Sequence, residues 1–277
     1  MKKPIIQFKD FSFKYDSQAD PTLKHINLEI NPGEKILLAG PSGSGKSTIG
    51  RCLNGLIPNV DHGELKGTCL VNGKDITKAS LFDLSFTTST ILQDSDSQFI
   101  GMTVGEDIAF SLENDCFTRE TMHQNVDRWA TELKLKDLLK QAPQTLSGGQ
   151  KQMVALAGVL VDESPILLFD EPLANLDPAT GLKTIQLIDQ IQKEVNATVI
   201  IIEHRIEEVL ARHVDRIVLI SDGEIIADKA PNALLHQDLL ESVGVRSPLY
   251  IKALEKADVD LKQLLDISSI DALPEEK

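Results

Sequence analysis

Cysteine is scarce, positive charge is in deficit, and no long apolar run occurs in the 277 residues. The three cysteines, Cys52, Cys69 and Cys116, are widely spaced. With no Cys-x-x-Cys and no Cys/His zinc spacing, the expectation is reduced thiols in a cytosolic protein, not a disulfide framework or a zinc module. No stretch approaches the ~18 consecutive apolar residues of a spanning helix. The Met-Lys-Lys start is not followed by the apolar core of a signal peptide, so membrane association is expected only through a partner. Lys and Arg number 28 against 42 Asp and Glu, a net charge of -14. Such a surface repels a phosphodiester backbone and argues against extended nucleic-acid binding. With 17 Gly, 12 Pro and no internal repeat, collagen-like, low-complexity and wholly disordered chains are excluded.

What is there is an ordinary globular composition, 42% hydrophobic and 25% charged. The length suits one large domain, or one domain with a smaller appendage, at ~100–200 residues per domain. Alternating apolar positions read as strands from Ile5 to Tyr15 and through Ile26, Leu28 and Ile30. Lys35 to Ala39 is a short apolar run that leads into the glycine-rich loop Gly40 to Gly45, and Ser47 to Leu56 reads as a helix. Asn72-Gly73 and Asp222-Gly223 are hairpin turns. Thr87 to Leu92, Ile166 to Phe169 and Thr198 to Ile202 are further strands, the last a run typical of a parallel strand covered on both faces. Val104 to Leu112, Thr118 to Leu133, Asp137 to Lys140 and Ser147 to Leu160 are helical, forming an insertion over about residues 95–160. Ala179 to Val195, Glu207 to Arg212 and the tail from Pro231 are helical as well. The alternation predicts an α/β core with a parallel sheet.

Three segments carry chemistry. Gly40-Pro41-Ser42-Gly43-Ser44-Gly45-Lys46-Ser47-Thr48 fits the phosphate-binding pattern G-x-x-x-x-G-K-[ST], with a strand before it and a helix after it. Its glycines let backbone N–H groups turn toward phosphate oxygens, and the helix N-terminus adds partial positive charge. Lys46 can reach the β- and γ-phosphates and the Ser47 hydroxyl can ligate Mg²⁺. Ile166 to Pro172 is a buried strand ending in two acids. Asp170 would hold Mg²⁺, and Glu171 would polarise the attacking water as general base. Leu146-Ser147-Gly148-Gly149-Gln150 opens a helix with a hydroxyl and small residues, a second anion site in principle. Since the first loop already holds one set of phosphates, this loop either has no chemical consequence or serves another nucleotide.

These three segments, in this order and spacing, resemble the ATP-binding cassette (ABC) ATPases over about residues 4–230. The resemblance implies a P-loop ABC ATPase core with an antiparallel β subdomain, a helical insertion and, over residues 231–277, a short helical C-terminal extension. It implies ATP and Mg²⁺ as substrate and cofactor. It implies a head-to-tail dimer in which Ser147, Gly148, Gly149 and Gln150 of one cassette contact the ATP bound by the other. Residue by residue, Tyr15 matches the aromatic that stacks on adenine, and Gln93 the glutamine that reaches Mg²⁺ and links core to insertion. Asn175-Leu176-Asp177 matches the loop crossing the dimer seam, and His204 the histidine that contacts the γ-phosphate. Met153 stands where the family often has an arginine. That arginine commonly supports structure near the signature helix, so its replacement leaves the ATPase expectation intact.

Gln150 to Leu160 and the additional Gln98 are similar to the energy-coupling-factor (ECF) importer ATPases of vitamins and metal ions. Glu203-His204-Arg205 in place of the commoner Thr-His-Asp, with the run Phe169 to Pro178 and Ser247-Pro-Leu-Tyr250, resembles those associated with thiamine-precursor uptake. That resemblance implies ATP-driven uptake of a vitamin or metal ion, with peripheral attachment to the cytoplasmic face of the membrane. The implied partners are a transmembrane coupling subunit, a substrate-binding membrane subunit and a second cassette, self or paralogue. Some such relatives carry two cassettes in one chain. A groove near Gln93 to Phe110, with Phe99, Ile100, Met102 and Val104, is expected to receive a helix of the membrane subunit. The alternative is a soluble ABC ATPase, such as an iron–sulfur assembly ATPase, for which the same groove would be polar.

Overall fold

The computed structural model describes residues 3–91, 99–174, 176–237, 239–257, 259, 261, 264 and 266–270. Two sheets organise the chain. The smaller is antiparallel, in the order β2-β1-β4-β5, built from β1 (Ile6–Tyr15), β2 (Leu23–Ile30), β4 (Gly63–Val71) and β5 (Lys74–Asp75). The larger has the order β10-β9-β3-β8-β7-β6, from β3 (Lys35–Ala39), β6 (Thr88–Ile91), β7 (Ile166–Asp170), β8 (Thr198–Ile202), β9 (Arg216–Ser221) and β10 (Glu224–Lys229). Its pairs are parallel except for the β9–β10 hairpin at the edge.

Every residue of β3 and β8 is buried. A strand covered on both faces has no solvent side, which is why both read as unbroken apolar or β-branched runs. Because side chains alternate across a strand, the sheet divides the interior in two. Ile36, Leu38, Leu168, Ile200 and Ile202 face the antiparallel sheet and its phenylalanines Phe8, Phe11 and Phe13. Leu37, Ala39, Leu167, Phe169, Val199 and Ile201 join the other cluster, with the helices that follow.

On the first side lie α1 (Lys46–Leu53), α2 (Leu56–Asn59) and the one-turn α3 (Leu81–Ser85). The helix expected to run to Leu56 stops at Leu53, because Gly55 adopts a left-handed φ of 79° and the chain re-enters as α2. The insertion contains α4 (Val104–Asn114), α5 (Arg119–Glu132) and α6 (Gly148–Leu160), packed around Ile108, Trp129 and Leu156. The helix expected over Asp137 to Lys140 is a single 3-10 turn, Lys136–Leu138. Then come α7 (Pro178–Val195) and α8 (Ile206–Val209), the latter one turn where a helix to Arg212 was expected. The final helices are α9 (Pro231–Leu235), α10 (Leu239–Ser242) and α11 (Leu249–Lys256). Their Leu234, Leu240, Tyr250 and Ile251 join the cluster beneath the large sheet, and the Tyr250 hydroxyl donates to the Ile267 carbonyl at 3.0 Å. Among the described residues no helix is long and apolar enough to cross a membrane.

One buried ion pair ties strand to helix. Lys35, fully buried at the start of β3, donates to Asp189 of α7 at 2.8 Å, and Asp189 also pairs with Lys193 at 2.7 Å. Burial pulls the Lys35 ammonium below its usual pKa, and the Asp189 carboxylate opposes that. Removing one partner of a buried pair costs more than the pair itself is worth, about 3–5 kcal/mol. Asp189→Ala is therefore expected to lower the unfolding free energy in urea by about 3 kcal/mol. Lys35→Met, which leaves Asp189 its second partner, is expected to cost less.

Candidate nucleotide site

The register of the large sheet brings three strand ends into one row. Leu38 of β3 pairs with Ile202 of β8, which pairs with Asp170 of β7. The loop Gly40–Gly45 leaves the first strand, Glu203 and His204 leave the second, and Glu171 follows the third. Sites of parallel α/β sheets lie at the carboxyl ends of their strands, and here the sequence-predicted residues converge on that edge.

The loop is held tightly. A Cβ on Gly40 would sit 2.1 Å from the Ile220 carbonyl oxygen, so only glycine fits. Gly45 adopts φ +105°, and a Cβ there would meet the Leu23 side chain at 2.8 Å. Gly223 of the β9–β10 turn donates to the Ser44 carbonyl at 3.1 Å and braces the loop from outside. Lys46 is buried, and its ammonium donates to the carbonyls of Gly40 and Pro41 at 2.8 Å each. Helix α1 begins on Gly45 with no side-chain cap and no acid in its first turn. Its leading N–H groups are thus left for an anion. Ser42 and Gly43 are the exposed crest of the loop. Tyr15 ends β1 beside α1. Its hydroxyl lies 3.2 Å from Thr48 Oγ1, and its ring packs edge-on against Phe13 at 4.7 Å.

Burial holds the Lys46 ammonium below its usual value, while Glu171, Asp170 and Glu203 act in the opposite sense. Burial, then the neighbouring Glu171, raises the Asp170 carboxyl, and Lys46 and the Ser47 hydroxyl favour its charge. Asp170 Oδ1 is buried without a well-formed hydrogen-bond partner. One ammonium among three carboxylates repels a polyphosphate unless a cation accompanies it. The Ser47 hydroxyl beside an orphaned carboxylate oxygen is a hard oxygen donor set of the kind Mg²⁺ takes. These residues fit Mg²⁺, which when bound would neutralise phosphate charge. Gln93, the third expected ligand, lies outside the described residues, as do Gln98 and Asn175.

Glu171 takes a left-handed φ of 50°, and its N–H donates to the Ile202 carbonyl at 2.9 Å, so the chain turns at the edge of β7 while still tied to β8. His204 follows β8 with its side chain 61% exposed, and Nδ1 lies 3.1 Å from Glu203 Oε1. The remaining candidates cap helices. Ser147 caps α6 in a reciprocal box. Its Oγ accepts from Gln150 N at 3.4 Å, and Gln150 Oε1 accepts from Ser147 N at 2.9 Å. A Cβ on Gly148 or Gly149 would meet nothing within 4 Å, so that helix start is open. Asp177 caps α7, accepting from the N–H groups of Ala179 and Thr180 and from the Thr180 hydroxyl at 2.6 Å. Those hydrogen bonds, the Thr180 hydroxyl first, hold its carboxyl below the usual range. Met153 is half-buried and packs against the apolar cluster, where an arginine would need a counter-charge.

Sequence reasoning missed several residues here. Gln152, one turn into α6, is buried, donates to the Pro172 carbonyl at 2.9 Å and accepts from Thr184. Glu203 is wholly buried, and Arg205 reaches the carbonyls of Leu173 and Leu176. A carboxylate directly after five buried strand residues was the available signal. The expected groove is also redrawn. Val104 is core and Phe99 packs against it, whereas Ile100 and Met102 are exposed. Phe82 and Phe86, unforeseen, stand exposed in edge-on contact. Leu81 and Phe82 line a groove of about 470 Å³ with Ser111, Asn114 and Asp162.

Comparison with known proteins fits this geometry. Residues 23–174 match the ABC transporter family, and residues 237–277 match a family described as ATP-binding cassette cobalt transporter. The chain belongs to the ABC transporter family. It is 73% identical over 274 residues to an ABC transporter ATP-binding protein of Lactobacillus johnsonii, covering 99% of this chain and 48% of that one. A protein of the same description from Streptococcus mutans is 56% identical over 271 residues, covering 98% and 49%. The chain thus spans about half the length of the curated relatives it matches. Among solved structures it is similar to cbiO1 of Clostridium perfringens, described as part of the ABC transporter complex cbiONQ. The TM-score is 0.78 at 28% identity, over 92% of this chain and 100% of that one.

The cap at α6 is testable apart from any nucleotide. Loss of an N-cap hydroxyl costs about 1 kcal/mol. Ser147→Ala is expected to lower stability in urea by that amount without ATP, and Ser147→Asp, which can still cap, by less.

Proposed function

We propose that this chain is the ATP-binding and ATP-hydrolysing subunit of an ECF-type importer, powering uptake of a vitamin or metal ion. The observation that carries the chemistry is the meeting of Lys46, Ser47 and the unpartnered Asp170 oxygen at one sheet edge, beside an uncapped helix start. Lys46 and the α1 N–H groups bind the phosphates, and Tyr15 offers its ring to the base. Ser47, Asp170 and Gln93 would hold Mg²⁺, which would offset the phosphate charge. Glu171 takes the proton of the attacking water, and His204 contacts the γ-phosphate. Ser147 to Gln150 and Asp177 act on the nucleotide of a second cassette. ATP draws the two cassettes together and hydrolysis lets them part.

The transport reading is supported by the match of residues 237–277 and by the named complex of the structural neighbour. It is also supported by exposed apolar side chains at Ile100, Met102, Phe82 and Phe86, as a seat for a helix of the coupling subunit requires. We take residues 1–230 as the cassette, with the helical subdomain at about 95–160, and residues 231–277 as its extension. The chain then sits on the cytoplasmic face through its partners.

Lys46→Ala is expected to weaken ATP binding by roughly tenfold to hundredfold, the ~1.5–3 kcal/mol of a charged hydrogen bond, as titration calorimetry would show. Unchanged affinity would overturn the phosphate-loop assignment. Glu171→Gln is expected to bind ATP normally, lose at least about 100-fold in turnover and shift to a dimer with ATP in light scattering. Turnover equal to the unaltered chain removes Glu171 as base. Affinity purification of the tagged chain from mildly solubilised native membranes is expected to recover a multi-span subunit and a small membrane protein. Recovery of soluble partners alone would reject transport and favour an assembly ATPase.

A further inference from the structure

Glu203 is a charged side chain where a charge is costly. It is wholly buried at the end of β8, and an ionised carboxylate tolerates burial only when its oxygens are well supplied with donors. Oε1 accepts from the N–H of His204 at 2.8 Å and of Arg205 at 3.1 Å, and lies 3.1 Å from His204 Nδ1. Oε2 accepts from the N–H of Leu173 at 3.2 Å. Leu173 is two residues beyond Glu171 and belongs to the other strand connection. A single side chain therefore ties the backbone behind the candidate base to the ring of His204.

Arg205 completes the tie from the other direction. Its Nη1 donates to the carbonyls of Leu173 at 2.9 Å and Leu176 at 3.1 Å, and Nε and Nη2 are anchored on Glu208 Oε1 at 3.0 and 2.7 Å. Leu173 is gripped at both backbone groups, its N–H by Glu203 and its carbonyl by Arg205. Leu176 directly precedes Asp177. The planar guanidinium suits this double contact, and a lysine cannot reproduce it.

We infer that Glu203 and Arg205 are positioning residues that clamp the segment between Glu171 and Asp177 to the end of β8, so that Glu171, His204 and Asp177 are held and displaced as one unit. The inference rests on the ATP-hydrolysis reading for its consequence, but the clamp itself is a property of the nucleotide-free chain. Engagement of Asp177 by a second cassette moves Leu176 and Leu173, and through Glu203 moves His204 relative to the phosphate loop. Turnover depends on both clamp residues; loss of Arg205 leaves nucleotide affinity unchanged, and loss of the Glu203 charge beside Lys46 does not weaken it.

The test uses Glu203→Gln, Arg205→Ala and Arg205→Lys in the full chain. Hydrogen exchange without nucleotide is expected to show the Leu173 amide exchanging at least tenfold faster in Glu203→Gln, with the amides of β3 unchanged. In Arg205→Ala, the Leu176 amide, which donates to the same Leu173 carbonyl that Arg205 holds, is expected to exchange faster as that turn loosens. With ATP, the Arg205 variants are expected to keep their dissociation constant within about twofold, and Glu203→Gln, which removes one of the carboxylates around Lys46, to bind no more weakly, while kcat falls at least tenfold in Glu203→Gln and Arg205→Ala. Arg205→Lys is expected to restore only part of kcat. In a double-mutant comparison, Arg205→Ala added to Asp177→Ala is expected to cost little more than Asp177→Ala alone. Protected Leu173 in Glu203→Gln, a KM change with kcat preserved, or fully additive losses would overturn the clamp. If the unaltered chain bound no ATP, the hydrolysis reading would fall, and the exchange result would still decide the clamp.

Discussion

The chemistry of this chain hangs on the level at which three buried strands stop. β3, β8 and β7 are apolar almost throughout because both faces are covered, so no polar group of use can sit along them. The first places where a lysine, a carboxylate or a histidine escapes that constraint are the strand ends. Parallel register sets those ends side by side, with Leu38, Ile202 and Asp170 in one row. A slip of one residue in any strand would turn its apolar set to the wrong cluster. The two interior clusters thus fix the positions of Lys46, Glu203 and Glu171 relative to one another more firmly than any contact within the site.

Charge is distributed at that edge according to what must stay open. Ser147 accepts from the N–H of the third residue of α6 and Asp177 from those of the second and third residues of α7, whereas α1 has neither side-chain cap nor first-turn acid. A helix start without a side-chain acceptor, next to a buried ammonium folded onto its own loop carbonyls, is stable only because the bonds of Lys46 to Gly40 and Pro41 satisfy the cation in the meantime. The carboxylates opposite favour the charged form of that ammonium, against the effect of burial. The same carboxylates would repel phosphate, which is why the arrangement calls for a divalent cation to complete it.

Much of this was legible in the sequence, for physical reasons that differ from element to element. The phosphate loop could be read because glycine spacing and strand–helix context leave little choice of geometry. The buried strands could be read because a two-faced environment admits only one composition. Helix ends were less legible. Gly55 stops α1, and α8 closes after one turn although the residues beyond it have helical character. The groove was misjudged in part because apolar composition does not distinguish Val104, which is core, from Met102, which is 84% exposed. Glu203 was visible only as a departure from a family pattern. Its burial follows from its place after Thr198–Ile202, and two of its donors are the next two amides. The donor that ties it across the site, Leu173 N–H, comes from thirty positions earlier, and no local pattern announces it.

The signature loop shows how an element can be structurally satisfied and still available. A serine hydroxyl has one proton and two acceptor sites. Ser147 Oγ accepts from Gln150 N, which is the cap, and directs its proton to Gln150 Oε1 at 3.0 Å. That Oε1 also receives the Ser147 N–H at 2.9 Å, so it does not depend on the hydroxyl. Turning the proton toward an incoming phosphate would leave both halves of the capping box in place. The open ground over Gly148 and Gly149 admits such a group without displacing protein atoms. In the proposed function the phosphate loop of a cassette holds one nucleotide, and the loop at α6 would act on a second.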